Sequence, residues 1–232
     1  ETSRGAVGQI YFFDVLEPRG SFPDTLVCRQ LDRIFNTAYL DALWNGRLDL
    51  SVLGGPSIHE DVAVARQSLD WLGVNYYRRV LVSFDPRSDG MLRQEARQDS
   101  PKTDLGWEIY PEGIYRVLTG LAERYPDLPL YITENGLADA SDSRRPRYVL
   151  DHLAWVHEAI KAGVPVKGYS YWSLTDNWEW LEGYWPKFGL YSVDEHTADR
   201  RPRPSAHLYK WIVQHNRTPE AEKMSEILGG RS

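Results

Sequence analysis

At 232 residues, 42% hydrophobic and 26% charged, the chain has enough apolar material for one domain with a sizeable core, which excludes a disordered tail or a minimal disulfide scaffold. A net charge of −6 argues against nucleic acid or an anionic membrane surface as a partner and favours a small neutral substrate. No apolar run approaches the roughly 20 residues of a membrane span; ETSRGAVG lacks a leader's basic start and apolar core, and the single cysteine, Cys28, can form no intrachain disulfide, so the expected location is cytoplasmic.

The chain opens at Glu1 without an initiator methionine, which suggests that cleavage or a chosen start set this end. Val7–Phe13 (VGQIYFF) reads as a strand. After a Pro/Gly loop, Asp24 can cap a helix with Val27, Leu31, Ile34 and Ala38 on one face, ending near Asn45-Gly46. Arg47 to Pro56 reads as a loop, and Leu72–Tyr76 as a second strand whose end places Asn75 and Tyr77 together. From Phe84 to Gly106 the residues are polar and rich in Pro, Asp and Arg, the composition of a long surface excursion.

Pro111 suits the first turn of a helix carrying Ile114, Val117, Leu118 and Leu121 at helical spacing and closed by Tyr125-Pro126. Leu128 to Gly136 (LPLYITENG) then predicts a short buried strand that Thr133, Glu134, Asn135 and Gly136 break. Tyr148–Ala162 predicts a helix stopped by Gly163 and Pro165, Val166–Ser173 a fourth strand, and Ser205–His215 a last helix. Strand and helix alternate four times, with crossovers long enough for parallel pairing. The fold class is therefore α/β and the order that of a (β/α)8 barrel, but four parallel strands cannot close on themselves. SRRPR at Ser143 to Arg147 reads as a solvated loop. His152 and His157, five apart on a helix, do not share a face as a zinc pair would, so no metal and no cofactor are expected.

Two stretches carry chemistry. The first delivers Glu134 at a strand end, where parallel α/β folds mount their catalytic groups, although an ordinary loop glutamate before an Asn-Gly turn fits this stretch as well. The second is Val166–Tyr191, VKGYSYWSLTDNWEWLEGYWPKFGLY. It holds Trp172, Trp178, Trp180 and Trp185 interleaved with Asp176, Asn177, Glu179 and Glu182. Flat apolar faces beside hydrogen-bonding carboxylates and amides suit a sugar ring, which presents C–H faces and a rim of hydroxyls. A Trp-rich core segment with a polar loop is the alternative.

ITENG followed by YWSLTDNWEW, EGY and KFGLY resembles the retaining β-glycosidases of glycoside hydrolase family 1. So do GVNYY at Gly73 to Tyr77, GWEIYPEGIY at Gly106 to Tyr115 and, weakly, VGQI near the start. The resemblance spans essentially the whole chain, and its motifs belong to the fifth through eighth βα units. It implies one domain, residues 1–232, forming the C-terminal half of the barrel. It implies Glu134 as nucleophile, Tyr77 as the tyrosine that hydrogen-bonds it, and Asn75, Trp172, Glu179 and Trp180 as sugar contacts. Trp107 would line the leaving-group side, and Phe188 of KFGLY would join the sugar-binding set.

Phospho-sugar members of the family carry a serine at the Glu179 position and a lysine where this chain has Pro186, so an unphosphorylated sugar such as β-D-glucose is implied. The family's general acid lies in a Thr-x-Asn-Glu-Pro motif. No Asn-Glu-Pro occurs in the chain; Leu16-Glu17-Pro18 lacks the asparagine and follows the wrong strand. The implied partners are a β-glycoside and either an N-terminal half-barrel or a second copy. A non-catalytic carbohydrate-binding or scaffold half-barrel is the competing reading, and a barrel hydrolase of another family explains Glu134 but not NWEW.

Overall fold

The computed structural model describes residues 5–52 and 55–229. In chain order the elements are β1 (Gly8–Pro18), α1 (Phe22–Asp32), a π-helical turn (Arg33–Thr37), α2 (Ala38–Asn45), β2 (Arg47–Ser51), β3 (Ser57–Asp61), β4 (Trp71–Phe84) and β5 (Leu92–Glu95). There follow α3 (Glu112–Arg124), β6 (Leu130–Glu134), α4 (Arg145–Lys161), β7 (Val166–Tyr169), β8 (Tyr191–Val193), β9 (Arg200–Pro202), α5 (Pro204–His215) and α6 (Ala221–Leu228).

β1, β4, β6 and β7 lie side by side in that order, each pair parallel, and β5 pairs antiparallel with the far end of β4. Each parallel strand is followed by its own helix, because parallel neighbours can be joined only through a long crossover. One face of the sheet is finished. Phe13, Val15, Leu72, Val74, Tyr76, Leu130 and Ile132 pack there against Leu40 of α2, Ile114, Leu118 and Leu121 of α3, and Val156 and Ala159 of α4. A second cluster, Val149, Tyr171, Leu190, Ala206, Leu208 and Ile212, seats α5 on α4.

The opposite face carries Ile10 and Phe12 of β1 and Tyr131 of β6, respectively 47%, 44% and 38% exposed. Strand side chains alternate between faces, so these three are the inward counterparts of the helix-packed set. Gly73 sits among them: a Cβ there would lie 2.8 Å from Ile10 Cγ1 and 2.9 Å from Thr133 Oγ1. β1 and β7 each have a single strand neighbour among the described residues, so both outer edges of the sheet are unpaired.

Several elements depart from the sequence expectation. The long first helix is interrupted by the π turn, whose extra residue rotates the buried face and turns Asn36 inward, donating to Asp14 O at 3.0 Å and Asp32 Oδ1 at 2.7 Å. Asp24 is not the cap; Ser21 holds that position, and the Asp24 carboxylate accepts the Phe84 N–H at 2.9 Å, tying α1 to the end of β4. Arg47–Ser51 is a strand rather than a loop, paired with β3 in a two-stranded ribbon. The excursion after Phe84 contains β5, whose Glu95 meets Arg19 at 3.1 Å. SRRPR is not a solvated loop throughout: Arg145 opens α4 fully buried, where its guanidinium donates to Tyr171 Oη at 2.9 Å and to Asp139 O and Lys187 O at 2.7 Å each. The fourth sheet strand stops at Tyr169, four residues early, and α6 lies beyond the last predicted helix, adding Ile227 and Leu228 to the second cluster.

His152 of α4 is fully buried, with its ring stacked 3.8 Å from that of Tyr148 and its Nδ1 donating to Tyr148 O at 2.8 Å. Its Nε2 has no hydrogen-bond partner among the described residues. Burial holds its pKa down at about 3, against an ordinary value of 6.5. The unfolded chain takes up this proton near pH 6.5 while the native state stays neutral until about 3, so the stability tied to His152 is complete above 6.5 and drains away as the pH falls toward 3. Urea unfolding of the assembled protein is therefore expected to weaken from this group by a slope approaching about 1.4 kcal/mol per pH unit across the upper part of that window, before the carboxylates titrate. His152→Phe is expected to flatten that slope; an identical slope in the variant would contradict the assignment.

Candidate active site

The site forms where the β4–β6 pairing and β7 end, and a register irregularity creates it. Strand β4 itself runs on to Phe84, so Asn75 and Tyr77 lie within that strand and not at its end. Along β4 and β6 the pairs run Leu72–Leu130, Gly73–Tyr131 and Val74–Ile132, and then skip to Asn75–Glu134. In strict alternation Glu134 would join Leu130 and Ile132 on the helix-packed face. The extra residue turns it to the inward face beside Asn75, since a one-residue slip exchanges the two faces of a strand. Thr133 stays inward and donates from Oγ1 to Asn75 Oδ1 at 2.7 Å.

Tyr77, two residues past Asn75 on the same face, donates its hydroxyl to Glu134 Oε2 at 2.6 Å. Burial first, and then the Glu134 charge, push the Tyr77 hydroxyl far above its ordinary value of 10, so it remains a protonated donor throughout the working pH range. Its ring is framed by Phe12 at 6.1 Å, Trp107 at 5.8 Å and Phe188 at 6.2 Å. Phe188 is 1% exposed and backs both Tyr77 and Trp107. The Arg78 guanidinium lies 4.9 Å above the Trp107 ring and bonds Asp14 at 3.1 Å.

Beyond β7, Trp172 approaches Glu134 through the backbone of the next two residues. Its N–H donates to Asn135 O at 3.0 Å, and a Cβ on Gly136 would sit 1.7 Å from Trp172 O, so only glycine permits this approach. The Trp172–Ser173 peptide is cis. Trp172 Nε1 donates to Glu179 Oε1 at 3.3 Å. Burial raises the Glu179 pKa, the Trp172 hydrogen bond opposes that, and the Glu134 charge adds to it. Glu179 also acts on the Tyr77 hydroxyl, so Glu134, Tyr77 and Glu179 share one electrostatic neighbourhood. Asp176 anchors this loop: both its oxygens accept from Arg203, at 3.0 and 2.9 Å, and Oδ1 also accepts the Gly189 N–H at 2.9 Å.

Glu134, Tyr77, Asn75, Trp107, Trp172, Glu179 and Phe188 thus converge from four separate stretches of sequence. Trp180 stands apart on the rim, 84% exposed, near the exposed Trp178, Leu181 and Trp185. Sequence reasoning missed Arg78 and Asn135 as parts of the site's support, and it grouped Asp176 with the sugar-facing polar groups, whereas the buried Asp176 carboxylate is taken up by Arg203 and the Gly189 N–H. Arg78 carries no pattern of its own, and Asn135 reads as half of a turn. A carboxylate with a dedicated tyrosine donor, beside a tryptophan-held second carboxylate and open apolar faces, can act as a nucleophile on a bound polyhydroxylated ring. Among the described residues no group of three or more His, Cys, Asp or Glu is placed to hold a metal ion, and no helix is long and apolar enough to cross a membrane.

Comparison with known proteins gives this geometry its context. The model of Glycosyl hydrolase family 1 matches residues 4–218. A β-galactosidase of Sulfolobus acidocaldarius is 39% identical over 200 residues, covering 82% of this chain and 39% of that protein. β-Glucosidase A of Thermotoga maritima is 40% identical over 166 residues, 68% of this chain and 37% of that protein. Among solved structures, a β-glycosidase from Pyrococcus horikoshii superposes with a TM-score of 0.81 at 33% identity, covering 96% of this chain and 51% of its own. A Thermotoga maritima β-glucosidase in complex with glucoimidazole gives 0.82 at 34% identity, covering 92% and 52%. The chain spans about half the length of these structures and less of the two curated relatives. Its unclosed sheet of four parallel strands is accordingly part of a (β/α)8 barrel, and the chain belongs to glycoside hydrolase family 1.

Proposed function

We propose that this chain is the C-terminal half of a retaining β-glycosidase, a single domain supplying the last four βα units, and that it hydrolyses β-glycosides once a complementary half closes the barrel. The observation that carries this reading is the 2.6 Å hydrogen bond from Tyr77 to Glu134 at the mouth of the parallel strands. In the proposed reaction the Glu134 carboxylate attacks the anomeric carbon as the glycosidic C–O bond breaks, and a general acid gives its proton to the departing oxygen. Water, deprotonated by that same group, then releases the sugar from Glu134 with overall retention.

Asn75, Trp172 and Glu179 hold the sugar, Trp180 meets it from the exposed rim, Trp107 faces the leaving group, and Phe188 backs the two rings it touches. The acid has to lie about 5 to 5.5 Å from the nucleophile. With no Asn-Glu-Pro in these residues, it comes from the half that completes the barrel. The unpaired edges of β1 and β7 and the wet inward face support a partner of that shape, either an N-terminal half-barrel or a second copy of the chain. A cytoplasmic location belongs to the same proposal and rests on Cys28 being a lone, buried thiol.

A fluorinated glycoside that traps the covalent intermediate is expected to label Glu134 in the completed barrel, and Glu134→Ala to lose nearly all turnover while keeping the fold. A label on Glu112 or Glu179 would refute the assignment. Binding of the sugar without labelling or turnover would favour the non-catalytic half-barrel instead.

The sugar is expected to be unphosphorylated. Glu179 would repel a phosphate carrying roughly −1.5 to −2 charges, and Pro186 offers no compensating cation. Comparable kcat/KM for a 6-phosphoglycoside and its plain counterpart would count against this.

Without the completing half, turnover of an unactivated substrate such as cellobiose is expected to fall by at least the ~10² to 10⁴ that general acid catalysis supplies. Mass in solution and cellobiose assay, before and after adding the missing half, check this together; a lone monomer working at a normal rate would overturn the half-barrel reading.

A further inference from the structure

The register slip that turns Glu134 inward sends the next side chain, Asn135, the other way, into the helix layer. Asn135 is 0% exposed there and meets three elements at once. Its Nδ2 donates to Tyr76 O of β4 at 2.8 Å and to the Tyr148 hydroxyl of α4 at 2.9 Å, while its Oδ1 accepts from the Tyr169 hydroxyl of β7 at 2.8 Å. Its backbone carbonyl receives the Trp172 N–H at 3.0 Å. Both amide hydrogens are used, and the amide oxygen is used as well.

The bond to Tyr76 matters most. The β4–β6 ladder ends at Asn75–Glu134, so the Tyr76 carbonyl is left without a partner on β6, and the Asn135 amide satisfies it. Tyr76 immediately precedes Tyr77, and Asn135 immediately follows Glu134. One amide therefore fixes the backbones from which both members of the Tyr77–Glu134 pair project. The tyrosine hydroxyls that hold it are themselves buried: desolvation raises the pKa of Tyr148 and Tyr169 well above 10, so both stay protonated and keep their places in the network.

We propose that Asn135 is a positioning residue for the glycosidase chemistry: by latching the slipped register of β6 onto β4, α4 and β7, it sets the orientation of Glu134 toward Tyr77 and the sugar. This rests on the assignment of Glu134 as nucleophile. Asn135 touches neither substrate nor reacting atoms; it acts through the pair in front of it.

The test is a double-mutant cycle in the completed barrel, read as the rate of covalent labelling by the fluorinated glycoside. Asn135→Ala is expected to lower the first-order labelling constant by about ten-fold, corresponding to one lost hydrogen bond's worth of transition-state placement, with the half-saturating inhibitor concentration almost unchanged. If Asn135 acts through the pair, the same substitution made in a Tyr77→Phe background should cost less than about two-fold. Full additivity in that background, or no loss in the single variant, overturns the proposal.

Should Asn135→Ala fail to assemble, Tyr169→Phe removes one bond of the latch without a cavity and enters the same cycle. If the unmodified barrel is never labelled, the nucleophile assignment falls, yet the latch is still decided by a crystal structure of the Asn135 variant. A Tyr77–Glu134 separation beyond hydrogen-bonding distance supports it, and an unchanged separation refutes it.

Discussion

Everything at the mouth of this sheet depends on one extra residue between β4 and β6. In an undisturbed parallel ladder Glu134 would have pointed into the helix layer, where an isolated carboxylate costs several kcal/mol to bury. The slip at Thr133 turns that liability into a site. The acidic residue faces the open side, where Tyr77 and solvent share it, and the residue sent into the interior is an amide that can be satisfied without charge. Bulges next to active sites commonly re-aim a side chain in this way.

The site is held by neutral tyrosine donors around Glu134 and Asn135 and by buried ion pairs beneath the segments that flank them. Tyr77, Tyr148 and Tyr169 are buried hydroxyls whose desolvation keeps them protonated, so they offer hydrogen bonds at no risk of ionising beside Glu134. Beneath the flanking segments the guanidinium groups take over: Arg203 on Asp176 under the tryptophan loop, Arg78 on Asp14 beside Trp107, and Arg79 between Glu108 and Glu17 below it. A bidentate Arg–carboxylate pair of low exposure, such as Arg203–Asp176, fixes direction as well as distance, which is what a loop without regular structure requires.

The two faces of the sheet differ in completeness. The helix side is a closed core in which Leu72, Val74 and Leu130, with Ile114 and Leu118 of α3 packed over them, leave almost no exposed apolar surface. The inward side leaves Ile10, Phe12 and Tyr131 substantially wet, flanked by two unpaired parallel edges. Apolar side chains that alternate with a finished core have the pattern of barrel interior rather than of a solvent face, and an open parallel edge invites a further strand. The halved coverage of the solved family structures has the same physical shape.

The sequence alone carried the alternation of strand and helix, the count of four units, the strand-end glutamate and the aromatic–carboxylate segment. These are local or periodic signals: β-branched runs, helical spacing of Ile114, Leu118 and Leu121, and motif order from GVNYY to KFGLY. It misplaced elements where tertiary contacts outweigh local preference. RLDLS becomes a strand only because Ser57–Asp61 pairs with it, and the last sheet strand keeps regular pairing only to Tyr169, beyond which Ser170 and Trp172 reach Ile132 O and Asn135 O across the irregular end of β6. Nothing in LYITENG announces that the alternation breaks at Thr133, since a register slip is a property of two strands and not of one. For the same reason the role of Asn135 was hidden: its partners Tyr76, Tyr148 and Tyr169 lie 59, 13 and 34 residues away, and only folding brings them to one amide.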